Sequence, residues 1–143
     1  MLIVAGDPMV AALLGILLDP GRHEPVYPQP SERPEDAIVR LRPPLAILLD
    51  GELESASSDL FLARADRARA TLLLFAPPST NGSSVRALAE QRGMPCFSLP
   101  VDRASLTRLL DEALRRGGLA LSSMVLAFGA LAATMLPSLF RVR

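Results

Sequence analysis

Short, continuous apolar runs recur along the first 100 residues, and each one is followed by a segment with helix signals. An apolar run without polar alternation is typical of a strand that is covered on both faces. The runs occupy residues 2–5 (LIVA), 45–49 (LAILL), 71–75 (TLLLF) and 96–99 (CFSL). A proline-rich passage around Val26 and Tyr27 leaves room for one short edge strand at most. The pattern therefore predicts five strands.

Helix signals fill the intervals between these runs. Asp7 and Pro8 favour a helix start, because aspartate is a good N-cap and proline suits the first helical position. Gly93 is a good C-cap residue, and Asp102 precedes a strongly amphipathic segment. The predicted helices are 9–18, 31–41, 57–69, 84–92 and one that begins after Asp102. Alternating strands and helices predict an α/β fold, a five-stranded parallel sheet with flanking helices, over residues 1–116.

Composition excludes several function classes. The 143 residues are half hydrophobic, which is enough for one domain with a core. Fifteen acidic residues balance 15 basic ones, all of them arginine, so charge gives no reason to expect a nucleic-acid partner. One histidine, His23, and one cysteine, Cys96, can form neither a zinc site of the usual kind nor an intrachain disulfide. We predict no enzymatic activity and no cofactor.

The C-terminal segment carries no charge over 24 residues, 117–140. As a helix it would span about 36 Å, against roughly 30 Å for the hydrocarbon core of a bilayer. Arg115 and Arg116 flank one end, and Arg141 and Arg143 the other, where arginines can reach the headgroups. We predict a transmembrane helix over 117–140 and a short basic tail over 141–143. The alternative is a buried C-terminal helix of the domain itself.

Two further features refine the membrane prediction. The apolar N-terminal segment does not resemble a signal peptide, because no positively charged region precedes it and Asp7 interrupts it. We therefore expect a single-pass protein of the inner (cytoplasmic) membrane with its N-terminal domain in the cytoplasm. Small residues four apart would allow other transmembrane helices to approach closely, so we expect further protein subunits as partners besides the lipid bilayer. These residues are Ser123, Ala127, Gly129 and Ala133.

The succession LIVAGDP, LAILLD, LLLFA and CFSLP resembles the receiver domain of bacterial response regulators, a flavodoxin-like fold, over residues 1 to about 116. The resemblance places Asp50 where that family has its phosphate-accepting aspartate and Pro100 where it has a proline. The family's acidic, magnesium-binding pair falls on Ala5 and Gly6. These two residues supply no ligand for a cation. The family's Thr or Ser falls on Phe75 and its lysine on Leu99, and neither of these side chains can bind a phosphoryl group. The resemblance therefore implies a pseudo-receiver without catalytic residues.

The residues leave alternatives for Asp50. Asp7, Asp50 and Glu52 could cluster as a weak metal site, in which case a membrane-tethered signalling receiver phosphorylated on Asp50 is the second function hypothesis. A small-molecule sensor is a third, but AGDP is too short for a dinucleotide fingerprint. The interpretation we favour is that Asp7 only caps its helix, while Asp50 accepts hydrogen bonds from amides of the following loop.

The favoured function is a membrane-anchored protein-interaction or assembly module. Receivers commonly bind partners through the face made by the fourth helix, the fifth strand and the fifth helix, which here would include Arg86, Arg92 and Arg103. A special form of this hypothesis is a structural accessory subunit of a larger bacterial membrane complex of the respiratory or photosynthetic type.

Overall fold

The computed structural model describes residues 1–41, 46–78 and 82–117. Within them, four parallel strands form a sheet in the order β1-β2-β3-β4. Leu2 pairs with Ile47, Leu48 with Leu73, and Leu74 with Cys96. The strands are β1 (Leu2–Val4), β2 (Ala46–Asp50), β3 (Thr71–Ala76) and β4 (Cys96–Ser98). The apolar runs thus predicted each of these strands to within two residues.

The prediction of a fifth strand near Val26 was wrong. Val26 forms a single parallel bridge with Leu2: it accepts a hydrogen bond from the Ile3 amide at 2.9 Å and donates one to the Met1 carbonyl at 2.8 Å. The next residue of this segment that would donate to β1 is Pro28, which has no amide hydrogen, so the pairing cannot extend beyond Val26.

The helices begin and end close to their predicted caps. The Asp7 carboxylate accepts a hydrogen bond from the Met9 amide at 2.9 Å, and Gly93 takes the left-handed conformation that ends the fourth helix. The predicted helix 57–69 is instead a 3₁₀ turn, Glu54–Ser57, followed by a shorter α-helix. The helices are α1 (Pro8–Leu17), α2 (Pro34–Arg40), α3 (Asp59–Arg67), α4 (Ser83–Arg92) and α5, described over 103–117.

Two buried clusters lie on opposite faces of the sheet, because successive strand residues point to opposite sides. On one face, Ile3, Leu48 and Leu73 pack against α1 and α5. On the other, Ile47 and Leu49 pack against α2, α3 and α4. Both faces are closed by helices, which explains why the strands are apolar without alternation.

In the part of the chain that the structure describes, no helix is long and apolar enough to cross a bilayer. The predicted transmembrane helix begins at Gly117, the last described residue of α5, and otherwise lies outside the described residues. The basic tail 141–143 and the small residues at 123, 127, 129 and 133 lie outside them too.

Candidate functional site

Asp50 lies at the end of β2, at the carboxyl edge of the sheet where open α/β folds place their ligands. The residue is only 5% exposed, and in the strand register it lies opposite Phe75. A buried carboxylate is costly unless hydrogen bonds satisfy it.

Two backbone amides supply these hydrogen bonds. The Gly6 amide donates to Oδ2 of Asp50 at 3.1 Å, and the Glu52 amide donates to Oδ1 at 3.0 Å. Gly6 follows β1 and Glu52 lies in the turn after β2, so one carboxylate connects the ends of two neighbouring strands. Charge-assisted bonds of this kind are stronger than neutral ones. The interpretation that Asp50 accepts hydrogen bonds from the following loop is confirmed, and the Gly6 contact adds a second anchoring point.

The turn after Asp50 is packed closely against α4. The Gly51 amide donates to the Phe75 carbonyl at 2.9 Å. A Cβ atom at position 51 would lie 2.5 Å from a methyl carbon of Val85, a distance that side chains do not tolerate. Glycine is therefore required here by close approach, and the loop that carries Glu52 is packed against α4.

The other positions of the family's reactive set hold residues without the required chemistry. Phe75 and Leu99 are buried in the α1 and α5 cluster, and the Phe75 ring centroid is 6.1 Å from that of Phe97. The Gly6 backbone lies directly beside the carboxylate. A Cβ atom at Gly6 would be 3.4 Å from Oδ2 of Asp50. Asp50 is therefore surrounded by backbone amide donors and by apolar side chains.

The three carboxylates of the metal-site hypothesis are directed to different partners. Asp7 accepts from the Met9 amide, and Glu52 accepts from the Ser84 hydroxyl at 3.1 Å, while Asp50 accepts the two amides described above. Within residues 1–41, 46–78 and 82–117, no three side chains of metal-ligating type come close enough to hold an ion. The structure does not bring Asp7, Asp50 and Glu52 together.

The arginines of the predicted interaction face point to different neighbours. Arg92 lies 3.5 Å from the carboxylate of Asp59 on α3, and Arg103 donates to the Ile16 carbonyl of α1 at 2.8 Å. Arg86 is exposed on α4. Arg86 and Arg92 thus lie on α4 and Arg103 on α5, two helices that cover opposite faces of the sheet.

Sequence reasoning missed an exposed apolar stripe on α1, which is formed by Met9, Leu13 and Ile16. Their spacing of four and three residues places them on one side of the helix. The signal was present, because α1 carries no charged residue, but an apolar helix gives no indication of which of its sides faces the core.

The chain has counterparts among solved structures. It matches NtrX from Brucella abortus with a TM-score of 0.65 and 18% identity, over 87% of this chain and 28% of NtrX. It matches the signal receiver domain of a modulated diguanylate cyclase from Desulfovibrio desulfuricans G20 with a TM-score of 0.60 and 22% identity, over 83% and 95% of the two chains. No family model matches the sequence, and no curated protein is similar to it. The chain has a receiver-like fold and spans about a quarter of the length of NtrX.

Proposed function

We propose that this chain is a non-catalytic, membrane-anchored pseudo-receiver that serves as a protein-interaction or assembly module. The non-catalytic role is supported by the hydrogen bonding and burial of the Asp50 carboxylate. Both of its oxygens accept backbone amides, and the residue is 5% exposed. In this arrangement Asp50 is a structural link between β1 and β2.

Phosphoryl transfer to a carboxylate needs compensating charge. A divalent ion held by carboxylates offsets the negative phosphoryl oxygens, and fixed donors stabilise the charge that develops in the transition state. At the positions where the family carries these groups, this chain has Ala5, Gly6, Phe75 and Leu99. The surroundings of Asp50 therefore favour a structural role over a chemical one.

The second candidate is a membrane-tethered receiver that is phosphorylated on Asp50. It is favoured by one observation, the carboxylate at the carboxyl edge of the sheet. Incubation of the full chain with Mg²⁺ and a small acyl-phosphate donor, followed by intact mass measurement, separates the two candidates. We expect no added phosphoryl group. A phosphoryl adduct that is abolished in Asp50→Asn would establish the signalling function instead.

The membrane part of the proposal is supported by the 24 uncharged residues 117–140, which continue directly from α5. Removal of residues 118–143 should transfer the domain from the membrane fraction to the soluble fraction as a monomer. Asp50→Ala is the matched control, because it should leave membrane location and partner binding unchanged. A truncated domain that remained with the membrane would show that this segment is not the anchor.

The assembly role predicts that other subunits accompany the protein, as in an accessory subunit of a respiratory or photosynthetic complex. The surface around Arg86, Arg92 and Arg103 and the small residues Ser123, Ala127, Gly129 and Ala133 are the candidate contacts. Purification of the full chain from its native membrane in mild detergent, followed by identification of the copurifying proteins, tests this role. Recovery of the chain alone, at the mass of a monomer, would contradict it.

A further inference from the structure

The outer side of α1 is apolar, although it is not covered by any part of the described chain. Met9 is 78% exposed, Leu13 44% and Ile16 69%, while Val10 and Leu14 on the opposite side of the helix are buried against the sheet. Among the helices within residues 1–41, 46–78 and 82–117, α1 alone carries no charged residue. No charged side chain of α1 therefore lies next to the stripe of Met9, Leu13 and Ile16.

The opposite face of the sheet has a different exterior. Val39 on α2 and Leu60 on α3 are exposed there, but each stands on a helix with charged residues of both signs. Arg64 of α3 and Asp36 of α2 form an ion pair at 2.7 Å across the two helices. Single exposed apolar residues among charges are ordinary, whereas a continuous uncharged stripe indicates a surface that contacts something apolar.

A tyrosine, Tyr27, packs on another side of α1, next to Gly15 and Ala11, and leaves the stripe uncovered. The Tyr27 side chain packs so closely on α1 that a Cβ atom at Gly15 would overlap its hydroxyl group. A shallow groove of about 400 Å³ runs between this segment and α1 and is lined mainly by apolar residues.

The segment proposed as the anchor begins on this same face. Leu106 and Leu110 of α5 share a buried cluster with Val10 and Leu14 of α1. Two polar contacts also connect the α1 region to α5: Arg103 donates to the Ile16 carbonyl, and Arg22 pairs with Asp111 at 2.8 Å. The uncharged residues 118–140 continue from the end of α5. An anchored domain would thus be tethered beside α1.

We propose that the outer stripe of α1 lies on the surface of the lipid bilayer. This inference rests on the proposed membrane anchor and adds an orientation to it. Transfer of three apolar side chains out of water is favourable, and the tether makes the contact intramolecular, so it needs little intrinsic affinity. The α2 and α3 exterior, with its charges, then faces the aqueous side.

The test uses the full chain in vesicles of phosphatidylethanolamine and phosphatidylglycerol that contain a spin-labelled lipid. In a Cys96→Ala background, a fluorophore is attached at Leu13→Cys or, as the matched control, at Leu60→Cys. The two positions are equally accessible, 44% and 48% exposed, but lie on opposite faces of the sheet. We expect lipid quenching at position 13 to exceed that at position 60 at least twofold, and Ile16→Cys to exceed Val39→Cys similarly.

The outcomes separate this proposal from the anchor on which it rests. If the labelled chain floats with the vesicles but positions 13 and 60 are quenched equally, the orientation is wrong and the anchor stands. If disulfide-linked dimers form efficiently through position 16 and quenching stays low, the stripe binds a second copy and not lipid. If the chain does not float with the vesicles at all, the anchor fails and this inference fails with it.

Discussion

The two faces of the sheet are alike inside and different outside. Each interior is closed by helices and contains fully buried side chains, Leu14 on the α1 side and Phe61 on the α3 side. On the outside, α2 and α3 carry charges and an ion pair, whereas α1 presents three exposed apolar residues. The two cores are therefore alike, whereas the outer side of α1 differs from the charged exterior of α2 and α3.

Both parts of the proposed function involve the α1 side of the sheet. Asp50 is two residues after Leu48 and therefore points to the same face of the sheet, the face covered by α1. At the end of β2 its carboxylate accepts a hydrogen bond from the Gly6 amide, just before α1. This hydrogen bond connects the end of β2 to the segment that leads into α1. On this face α1 has an apolar outer side, α5 carries exposed arginines, and the uncharged C-terminal segment follows α5.

The largest effects should come from the interiors and should be comparable on the two faces. Leu14→Ala is expected to lower the free energy of unfolding by about 2–5 kcal/mol and Phe61→Ala by about 3–5 kcal/mol, because both leave cavities in closed cores. Urea unfolding of the full chain in mild detergent measures both. Leu13→Ala, one residue away on the exposed side, is the control and should change stability by less than about 0.5 kcal/mol. Equal effects at positions 13 and 14 would mean that α1 does not pack as described.

An intermediate effect is expected at Asp50. Asp50→Ala removes the acceptor of two amides and should cost about 1–3 kcal/mol of unfolding free energy. Because the Gly6 and Glu52 amides lose their hydrogen-bond acceptor, amide hydrogen exchange should accelerate first at these two residues. Glu54→Ala, which removes an exposed carboxylate from the same loop, should leave both exchange rates unchanged. Protection at Gly6 that persisted in Asp50→Ala would show that the carboxylate does not hold β1.

A smaller effect is expected from the ion pair on the charged exterior. Arg64 and Asp36 are partly exposed, so their coupling in a double-mutant cycle should be about 0.2–1 kcal/mol and should decrease as salt is added. A coupling above about 2 kcal/mol would indicate that this face is covered by a partner in the protein as studied. Such a result would remove the contrast between the two exteriors.

The smallest effect is a pH dependence on the α1 side. Burial, followed by the nearby charges of Arg22 and the N-terminus, lowers the pKa of His23 below its ordinary value of 6.5. The unfolded chain then binds a proton more readily than the folded one, so the contribution of His23 to stability is complete above 6.5 and is lost as pH falls through its folded pKa. Between about pH 7.5 and about pH 5.5, the wild type should lose more stability than His23→Gln. Parallel losses in both proteins would exclude a role for this histidine.

Much of the architecture could be predicted from local signals. The runs at 46–50 and 71–76 are apolar on both sides, which predicted a parallel sheet between two helical layers, and Asp7 and Gly93 marked helix ends through their capping chemistry. The same signals overestimated the strand near Val26: the prolines indicated that it would be short, but not that its pairing would stop at one bridge. The local part of the site, the bond from Glu52 to Asp50, was also predictable, since it spans two residues.

What the sequence by itself determined is the periodicity of burial and the capping of the helices. Only the tertiary structure decided that Asp50 bonds to Gly6, 44 residues away, that Val85 leaves room for nothing larger than glycine at position 51, and that Met9, Leu13 and Ile16 form the outer side of α1. The physical reason is that capping and periodicity act within a few residues along the chain, whereas a helix that is apolar all round acquires an inside and an outside only when it meets the sheet.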